Sequence, residues 1–397
     1  MDKKNIFIRF CILQGTYWSF YASFVGYITA YMISKGMSNT TLSLIVSAFM
    51  LTSFAGLLFW GRVSDAMKTN KKVFILGSVS ATMLAIGVFS LADSVKLMAV
   101  LYPLFGFMVA PLATLLDAWV IASFPEKADA FGQSRAFASG SYAVVMLLVG
   151  QMISHFGYRV MIAATLFFLS FTIVNAVAIP DVERANRTSK KASLADIKKL
   201  GNSRPYMLLI LILFLTGMCI APINNMKIVI MQNVGGDVAY VGLDSFIGCL
   251  MQLPFLVMSG RLIRIDPKKR LVMIVFAQSV MALITLAAVS PAMVIIGSIF
   301  NNIGVGIVLP TMREITEASV GNELKNTAHS LADAAYNNVS AMLALTYAGA
   351  LSDFYSIKTM IVVSLVIELV TLGIALINMK TFSNHTEYGK ASLISTQ

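Results

Sequence analysis

Long apolar stretches, each bounded by charged or turn residues, follow one another along almost the whole chain. A helix that crosses the hydrocarbon core of a bilayer needs about 20 mainly apolar residues, and the stretches have that length. The pattern therefore predicts an all-α membrane protein with twelve transmembrane helices. The predicted spans are 7–33, 40–60, 73–92, 97–124, 131–155, 158–180, 206–228, 239–263, 270–289, 292–318, 326–352 and 359–379.

The composition agrees with this interpretation. Of the 397 residues, 57% are hydrophobic and only 12% are charged, which is typical of a polytopic membrane protein. The first apolar stretch begins within a few residues of the first methionine and has no small-residue cleavage site. We therefore expect it to be a retained first span rather than a signal peptide.

The net charge of +11 indicates orientation rather than nucleic-acid binding. If both termini are cytoplasmic, most lysines and arginines fall on the inner side, as the positive-inside rule requires. The outward connections then hold only Lys35, Lys96, Arg159, Lys227 and Lys358. We expect a monomeric, multi-pass protein of the bacterial inner membrane whose partners are the lipid bilayer and a small-molecule substrate.

The sequence offers no enzyme chemistry. The three cysteines lie in separate spans without metal-ligand spacing, and no His/Asp cluster, nucleophile elbow or phosphate loop occurs. We expect no metal, no cofactor and no catalytic residue. A membrane sensor that binds a solute without moving it is the alternative outside transport.

The longest polar stretch, 181–205, separates six predicted spans from six. It divides the chain into an N-terminal bundle (1–180), a cytoplasmic linker (181–205) and a C-terminal bundle (206–397). Three features recur at one constant spacing between the halves: Gly61-Arg62 with Gly260-Arg261, Pro111 with Pro310, and Gly150 with Gly349. A repeat of six plus six spans is typical of secondary transporters that bind substrate near the membrane midplane, between the halves.

The loop "GRVSDAMKTNKK" (61–72) resembles the signature that follows the second helix of the major facilitator superfamily, Gly-x-x-x-Asp-basic-x-Gly-basic-basic. Gly61 and Asp65 match in place, the basic pair comes slightly late, and Ala66 and Lys68 depart from the pattern. The resemblance implies two pseudo-symmetric six-helix bundles and a gating role for Arg62 and Asp65. The alternative is a packing glycine followed by orientation charges.

Arg135 lies within the fifth predicted span. A charged side chain near the bilayer centre costs about 2.5–3.5 kcal/mol and usually has a partner. Folding spans four and five about the loop at 125–130 brings Asp117 within one helical turn of its height. Ser139 and Tyr142 share the helical face of Arg135, so this face can donate to and accept from adjacent hydroxyl groups.

The spacing from Asp117 to "FGQSRAFASGSY" (131–142) resembles the lactose permease and oligosaccharide:proton symporter subgroup. In that subgroup a helix-4 carboxylate and a helix-5 arginine bind sugar hydroxyls, which implies a sugar or glycoside as substrate. Asp117 replaces a longer glutamate. Phenylpropionate and nucleoside transporter relatives share the layout, and a purely structural ion pair is the other interpretation of Asp117 and Arg135.

Two further polar stripes are candidates for the walls of a substrate cavity. One lies in span 1 and the other in span 11. The asparagines Asn225 and Asn337 stand where the resemblance places a lysine-aspartate pair. The predicted substrate-binding residues are therefore Asp117, Arg135, Ser139, Tyr142, Gln14, Tyr17, Tyr21, Asn225, Tyr336 and Asn337.

Arg313 and Asp333 form a predicted second charge pair, an inverted copy of Asp117 and Arg135, which is either a gate or a static contact. Glu314 and Glu368 are further titratable candidates for coupling. The histidine-glutamate relay of the resembling subgroup is missing from span 10, and no cation stands inside span 9. Coupling to protons would therefore use Asp117, Asp333, Glu314 or Glu368; without it the protein is a facilitator or exchanger.

The sequence thus predicts an alternating-access secondary transporter of a small polar solute, a sugar or glycoside, with protons as the candidate coupling ion. Export of amphiphilic compounds, to which 24 methionines could adapt, and transport of aromatic acids or nucleosides are the alternatives within transport.

Overall fold

The computed structural model describes residues 3–125, 128–182, 200–257, 264–321 and 324–379. Most of the predicted linker 181–205 and the Gly260-Arg261 pair lie outside the described residues. The described elements are all helical. They are α1 (Lys3–Phe24), α2 (Ile28–Ser34), α3 (Asn39–Met67), α4 (Lys71–Ser90), α5 (Val95–Ser123), α6 (Ala128–Phe156), α7 (Arg159–Ala178), α8 (Arg204–Asn225), α9 (Lys227–Asn233), α10 (Val238–Val257), α11 (Pro267–Leu286), α12 (Pro291–Ser319), α13 (Lys325–Asp333), a π-helix (Ala334–Val339), α14 (Ser340–Phe354) and α15 (Ile357–Ile377).

Among the described residues, nine helices are long and apolar enough to cross a membrane, namely α3 to α8, α11, α12 and α15. A tenth candidate span is formed by α9 and α10, which are bent by 119° at their junction. The predicted span 7–33 is occupied by α1, a short turn and α2, and the predicted span 326–352 by α13, the π-helix and α14. The all-α membrane fold is confirmed, and the count of twelve spans stays a prediction.

The chain forms two compact units. The first contains the described residues of 1–187 together with 225–249, and the second those of 188–224 together with 250–397. Some helices correspond in length between the predicted halves: α4 and α11 have 20 residues, and α5 and α12 have 29. The predicted boundaries of the two bundles and the linker remain predictions.

In the first unit α1 packs against α6 and α7, while α5 packs against α3 and α4. Pro111 lies inside α5 and has no N–H to donate to the carbonyl group of Phe107, four residues earlier. That carbonyl faces Gly56 of α3, where an added Cβ would overlap it. Glycine therefore allows α3 to approach the part of α5 that the proline leaves open.

In the second unit α11 packs against α12 and α15. Their contact surface is an apolar core that also takes residues from α8, and its members are nearly or fully excluded from solvent. They include Leu209, Ile212, Leu213, Leu271, Ile274, Val275, Ile307, Val308, Met312 and Ile315. This core holds the helices that carry Glu314 and Glu368.

Candidate functional site

Asp117 of α5 and Arg135 of α6 lie together, as the hairpin geometry predicts. Nη1 of Arg135 is 3.7 Å from Oδ1 of Asp117, and the two side chains are 37% and 25% exposed. At this distance the charges attract each other without a hydrogen bond. Nη1 has no hydrogen-bond partner in the described part of the chain, so the arginine keeps a donor available.

Helix α1 completes the site. Nε2 of Gln14 donates a hydrogen bond of 2.8 Å to Oδ1 of Asp117, and the guanidinium carbon of Arg135 lies 4.4 Å from the centre of the Trp18 ring, a cation–π distance. The contact of α1 with α6 is close at Gly15, where a Cβ would lie 2.9 Å from Oγ of Ser141. Small residues thus bring Gln14 and Trp18 to the charge pair.

Three polar atoms of this cluster lack a hydrogen-bond partner among the described residues. They are Oε1 of Gln14, Nε1 of Trp18 and Nη1 of Arg135. Buried polar atoms are nearly always hydrogen-bonded, and each exception needs an explanation. One acceptor and two donors from adjacent side chains are what a hydroxyl-bearing ligand would satisfy. We call Gln14, Trp18, Asp117 and Arg135 the central cluster.

The other aromatic residues predicted for this region differ in exposure. Tyr21 and Tyr142 are half-buried, and their rings lie 5.4 Å and 6.2 Å from that of Trp18. Ser139 is also half-buried, on α6. Tyr17, by contrast, is 1% exposed and packs against Phe20 and Phe74. The structure thus brings Tyr21 and Tyr142 to the edge of the cluster, and it buries Tyr17 within electrostatic reach of Asp117 and Arg135.

A groove of about 570 Å³ also runs along α1 and α6. Ser19, Phe137, Gly140 and Val144 are among the residues that line it. Those of them that belong to α6 stand on a different face of that helix from Arg135, and most of the lining residues are apolar. The groove therefore lacks the polar atoms of the central cluster.

The segment 225–249 carries an ion pair that sequence analysis missed. Nζ of Lys227 lies 3.4 Å from Oδ2 of Asp244, and the side chains are only 10% and 9% exposed. The prediction that Lys227 lies in an outward connection does not account for this burial, because α9 begins at that residue and packs against α2. Asn225, just before α9, is half-buried. Opposite charges on either side of the α9–α10 break were the available signal.

The segment also contacts α6 closely. An added Cβ at Gly150 would lie 3.2 Å from Cα of Gly242, and Ser154 donates a hydrogen bond to Asp237. The hydroxyl of Tyr27 donates to the carbonyl oxygen of Met146 at the same place. Two facing glycines therefore let α10 and α6 touch at the backbone.

The predicted pair of Arg313 and Asp333 is not formed. Arg313 lies on the exposed face of α12, and Nδ2 of Asn337 donates to Asp333 over 2.9 Å. The neighbouring Glu314 instead pairs with Arg270 of α11, which is fully buried. One residue turns a helical side chain by about 100°, so Glu314 faces α11 where Arg313 cannot. Arg270, at the start of the predicted span 9, was not recognised as a partner.

Asp333, Tyr336 and Asn337 lie at and within the π-helix. Asp333 and Asn337 are exposed, and Tyr336 is half-buried. Glu368 of α15 is 0% exposed and accepts a hydrogen bond of 3.2 Å from Oγ1 of Thr216. Asp333 and Glu368, two of the three predicted coupling carboxylates of the second unit, thus have opposite environments.

The loop at the end of α3 has a left-handed residue at the position where the superfamily signature has a glycine. Lys68 ends α3 with φ at 52°, in the left-handed region, and it stands at the glycine position of the pattern. Glycine adopts this conformation without strain, whereas other residues pay about 1–2 kcal/mol. Arg62 and Asp65 are exposed on the last turns of α3.

The same loop is fixed to the end of α7. Oγ1 of Thr69 donates to the carboxylate of Asp181 over 2.8 Å, and Nζ of Lys71 donates to the carbonyl oxygens of Val177 and Ile179. A cation at the carboxyl end of a helix satisfies its free carbonyl groups and its dipole. The basic residue of the loop therefore binds within the first unit.

Comparison with known proteins agrees with this architecture. The family model "MFS_1 like family" matches residues 10–362. The chain is 23% identical over 326 residues to the maltose permease of Geobacillus stearothermophilus, covering 81% of each protein. It is 20% identical over 360 residues to the uncharacterized transporter YwbF of Bacillus subtilis (strain 168), covering 88% of each.

Solved structures show the same fold. The nucleoside transporter NupG matches with a TM-score of 0.81 and 13% identity, over 96% of this chain and 99% of that one. A bacterial homologue of the human lysosomal transporter Spinster matches with a TM-score of 0.74 and 10% identity, over 96% and 98%. Because the family model covers most of the chain, the protein belongs to the MFS_1 like family and is a multi-pass membrane transporter with the major facilitator fold.

Proposed function

We propose that the protein moves a sugar or glycoside across the bacterial inner membrane by alternating access, as a monomer with both termini in the cytoplasm. The observation that carries the proposal is the central cluster, where three side chains around Asp117 hold unpartnered polar atoms. The similarity to a maltose permease supports the same substrate class.

The chemistry of the cluster fits a polyol. A carboxylate accepts and a guanidinium donates, so Asp117 and Arg135 bind neighbouring hydroxyl groups in both directions. The faces of Tyr21 and Tyr142 offer apolar area for the C–H side of a sugar ring, with a polar tip on each. A substrate with its own carboxylate would instead be attracted by Arg135 and repelled by Asp117.

The segment 225–249 is the proposed outer gate. It belongs to the second half by sequence, but in the structure it packs with the helices α1 to α7 of the first unit. The close approach of Gly150 to Gly242 and the hydrogen bond from Ser154 to Asp237 hold it there, while the ion pair of Lys227 with Asp244 ties α9 to α10 within the segment. Opening the outer side of a cavity requires this contact to separate, whereas Arg62 and Asp65 are the proposed gating residues of the opposite side. Asn225, Tyr336 and Asn337 are the substrate contacts proposed for the second half.

Protons are the proposed coupling ion. Among the proposed coupling residues of the second unit, Glu314 already forms an ion pair with Arg270. Asp333 is not paired with Arg313, so Asp333 and Glu368 are the two of these carboxylates that have no cationic partner in the described part of the chain. Coupling works when the ion binds one of the two conformations more tightly than the other.

The test is uptake into proteoliposomes of labelled maltose, uridine and phenylpropionate, with and without an inward proton gradient. We compare the wild type with Asp117→Asn and Arg135→Lys. Arg159→Lys is the matched control, because Arg159 is exposed at the start of α7. We expect maltose uptake by the wild type and the control, and its loss in both site variants.

The other outcomes separate the alternatives. Uridine uptake that depends on Arg135 would show that the substrate is a nucleoside rather than a sugar. Phenylpropionate uptake that improves in Asp117→Asn would indicate a carboxylate substrate. Equal maltose uptake by all four proteins would make the Asp117–Arg135 pair structural.

A further inference from the structure

Glu368 lies in the middle of α15 and is the one charged residue of that helix after Lys358. Its side chain is 0% exposed. Taking an ionised carboxylate out of water is costly unless a cation or several hydrogen-bond donors replace the water. Ionisable residues inside a membrane span are rare, and they mark functional sites by default.

The surroundings of Glu368 supply one donor. Oε1 accepts the hydrogen bond from Thr216, and Oε2 has no partner in the described part of the chain. Two titratable groups that are neutral at pH 7, Cys219 of α8 and Tyr336 of the π-helix, lie within electrostatic reach of Glu368.

The remaining helices packed on α15 bring no free cation to it either, within the residues that the structure describes. Helix α14 carries Tyr347, and α11 carries three cations in its first turn: Lys268 pairs with Asp266, Arg270 pairs with Glu314, and Lys269 is exposed. A carboxylate needs donors at both oxygens, whereas a carboxylic acid accepts at one oxygen and carries its own hydrogen on the other. The acid is the less costly buried form here, because an O–H group without an acceptor costs less than a charge with a single donor.

We propose that Glu368 and Thr216 form the proton-binding site that couples transport to the proton gradient. In the described conformation Glu368 is a carboxylic acid with its hydrogen on Oε2. When the conformational change admits water, the O–H bond breaks, the proton passes to water and the carboxylate keeps the electron pair. This inference rests on the proposed transport function and names its ion site.

One turn of α8 connects this site to the π-helix, which carries the predicted substrate-binding residues Tyr336 and Asn337. Gly217 follows Thr216, and an added Cβ there would overlap the carbonyl oxygen of Tyr336 and the hydroxyl of Ser340. The π-helix that begins at Ala334 carries Asn337 as well. π-Helical turns are frequent at functional sites, and a shift of Thr216 upon ionisation of Glu368 would act directly on this one.

Infrared difference spectroscopy of the detergent-solubilised protein tests the site without any substrate. We expect a carbonyl-stretch band of a buried carboxylic acid that disappears at high pH and is missing in Glu368→Gln. Thr216→Val, which keeps the shape but removes the donor, should shift that band to the position of a non-hydrogen-bonded acid. A spectrum in which Glu368→Gln removes no acid band would overturn the proposal.

Transport tests the coupling. In Glu368→Gln, which imitates the protonated form, we expect exchange of internal for external substrate to continue while the gradient-driven rate falls to the gradient-free rate. The matched control is Glu317→Gln, at a half-exposed carboxylate near His329. Unchanged gradient-driven uptake in Glu368→Gln would refute the coupling role.

Failure of the two proposals can be told apart. If the wild type transports none of the three test substrates, the proposed substrate class is wrong, and the infrared band still decides whether Glu368 holds a proton. If transport proceeds but depends on neither the gradient nor Glu368, the substrate proposal stands and the proton site is refuted.

Discussion

Two ion pairs of the first unit contain the same chemistry in different surroundings. Asp117 and Arg135 are 25% and 37% exposed and 3.7 Å apart, whereas Asp244 and Lys227 are 9% and 10% exposed and 3.4 Å apart. The first pair is surrounded by unpartnered polar atoms from three side chains, and the second by one, Oδ1 of Asp244. Exposure and unsatisfied groups, rather than the presence of charge, distinguish the proposed ligand site from the Lys227–Asp244 pair.

The physical reason is the cost of separating each pair. Removing one partner of a buried pair leaves a charge without water, which costs about 3–5 kcal/mol. A half-exposed pair is partly hydrated and contributes less to stability. Its two residues can therefore give up their mutual attraction and bind a ligand instead. The following changes test this difference, from the largest expected effect to the smallest.

Asp244→Asn should lower stability most. The substitution leaves Lys227 charged and nearly buried, and we expect a loss of about 3–5 kcal/mol, measured as the thermal unfolding temperature in detergent. Asp93→Asn is the matched control, because Asp93 pairs with Lys35 at an exposed site where a pair contributes about 0–1 kcal/mol. Equal unfolding temperatures for the two variants would remove the distinction.

The double variant Asp117→Asn with Arg135→Gln should leave the unfolding temperature nearly unchanged and abolish substrate binding. Each lost charged hydrogen bond to the ligand costs about 1.5–3 kcal/mol, and a tenfold loss of affinity corresponds to about 1.4 kcal/mol. Isothermal titration with maltose measures the affinity. A variant that unfolds as early as Asp244→Asn would show that this pair, too, is chiefly structural.

Trp18→Phe should weaken binding by a smaller amount. Phenylalanine keeps an aromatic face for Arg135 but removes the unpartnered N–H, so we expect a loss of about 0.5–1.5 kcal/mol, the net contribution of one neutral hydrogen bond. The same substitution at Trp60, which also has an unpartnered Nε1 but lies in α3 away from the charge pair, is the control. Equal maltose affinity in both variants would exclude Trp18 as a donor to the ligand.

Lys68→Gly is a stability reference for the other variants, because Lys68 belongs to neither of the two ion pairs, Asp117–Arg135 and Asp244–Lys227. Relief of the left-handed backbone at φ 52° should raise stability by about 1 kcal/mol. Gly157→Ala, at φ 78°, makes the opposite change and should lower the unfolding temperature. A decrease in Lys68→Gly would mean that the lysine side chain contributes more than the strain costs.

Sequence analysis succeeded where only chain distance mattered. The heights of Asp117 and Arg135 in adjacent spans follow from the rise per residue and the position of the loop, and the structure joins them. It was incomplete where rotation mattered: Trp18, which lies over Arg135, was not considered, although its neighbour Tyr17 was. Arg313 was expected to form an ion pair with Asp333, whereas its neighbour Glu314 forms one with Arg270, since a helical face changes with every residue.

Burial of Lys227 is a further failure with a different cause. Hydropathy places a lysine at the end of an apolar stretch in a loop. Gly235 and Gly236 mark the break between α9 and α10, but they do not predict its bend of 119°. The bend turns the segment onto α2 and α6, where Lys227 meets Asp244. Only the packing of the segment shows that this lysine is a partner rather than an orientation charge.

The sequence by itself determined the apolar segmentation, the helical membrane class and the need of Arg135 for an acidic partner, because each depends on length, composition or the cost of a charge in lipid. The superfamily was expected from the resemblance of the loop 61–72 to its signature. The tertiary structure decided which faces meet: Trp18 on Arg135, Arg270 on Glu314, Thr216 on Glu368. Contacts of this kind depend on the rotation and close approach of packed helices, which small residues such as Gly15 and Gly217 permit. A pattern along one chain does not contain that information.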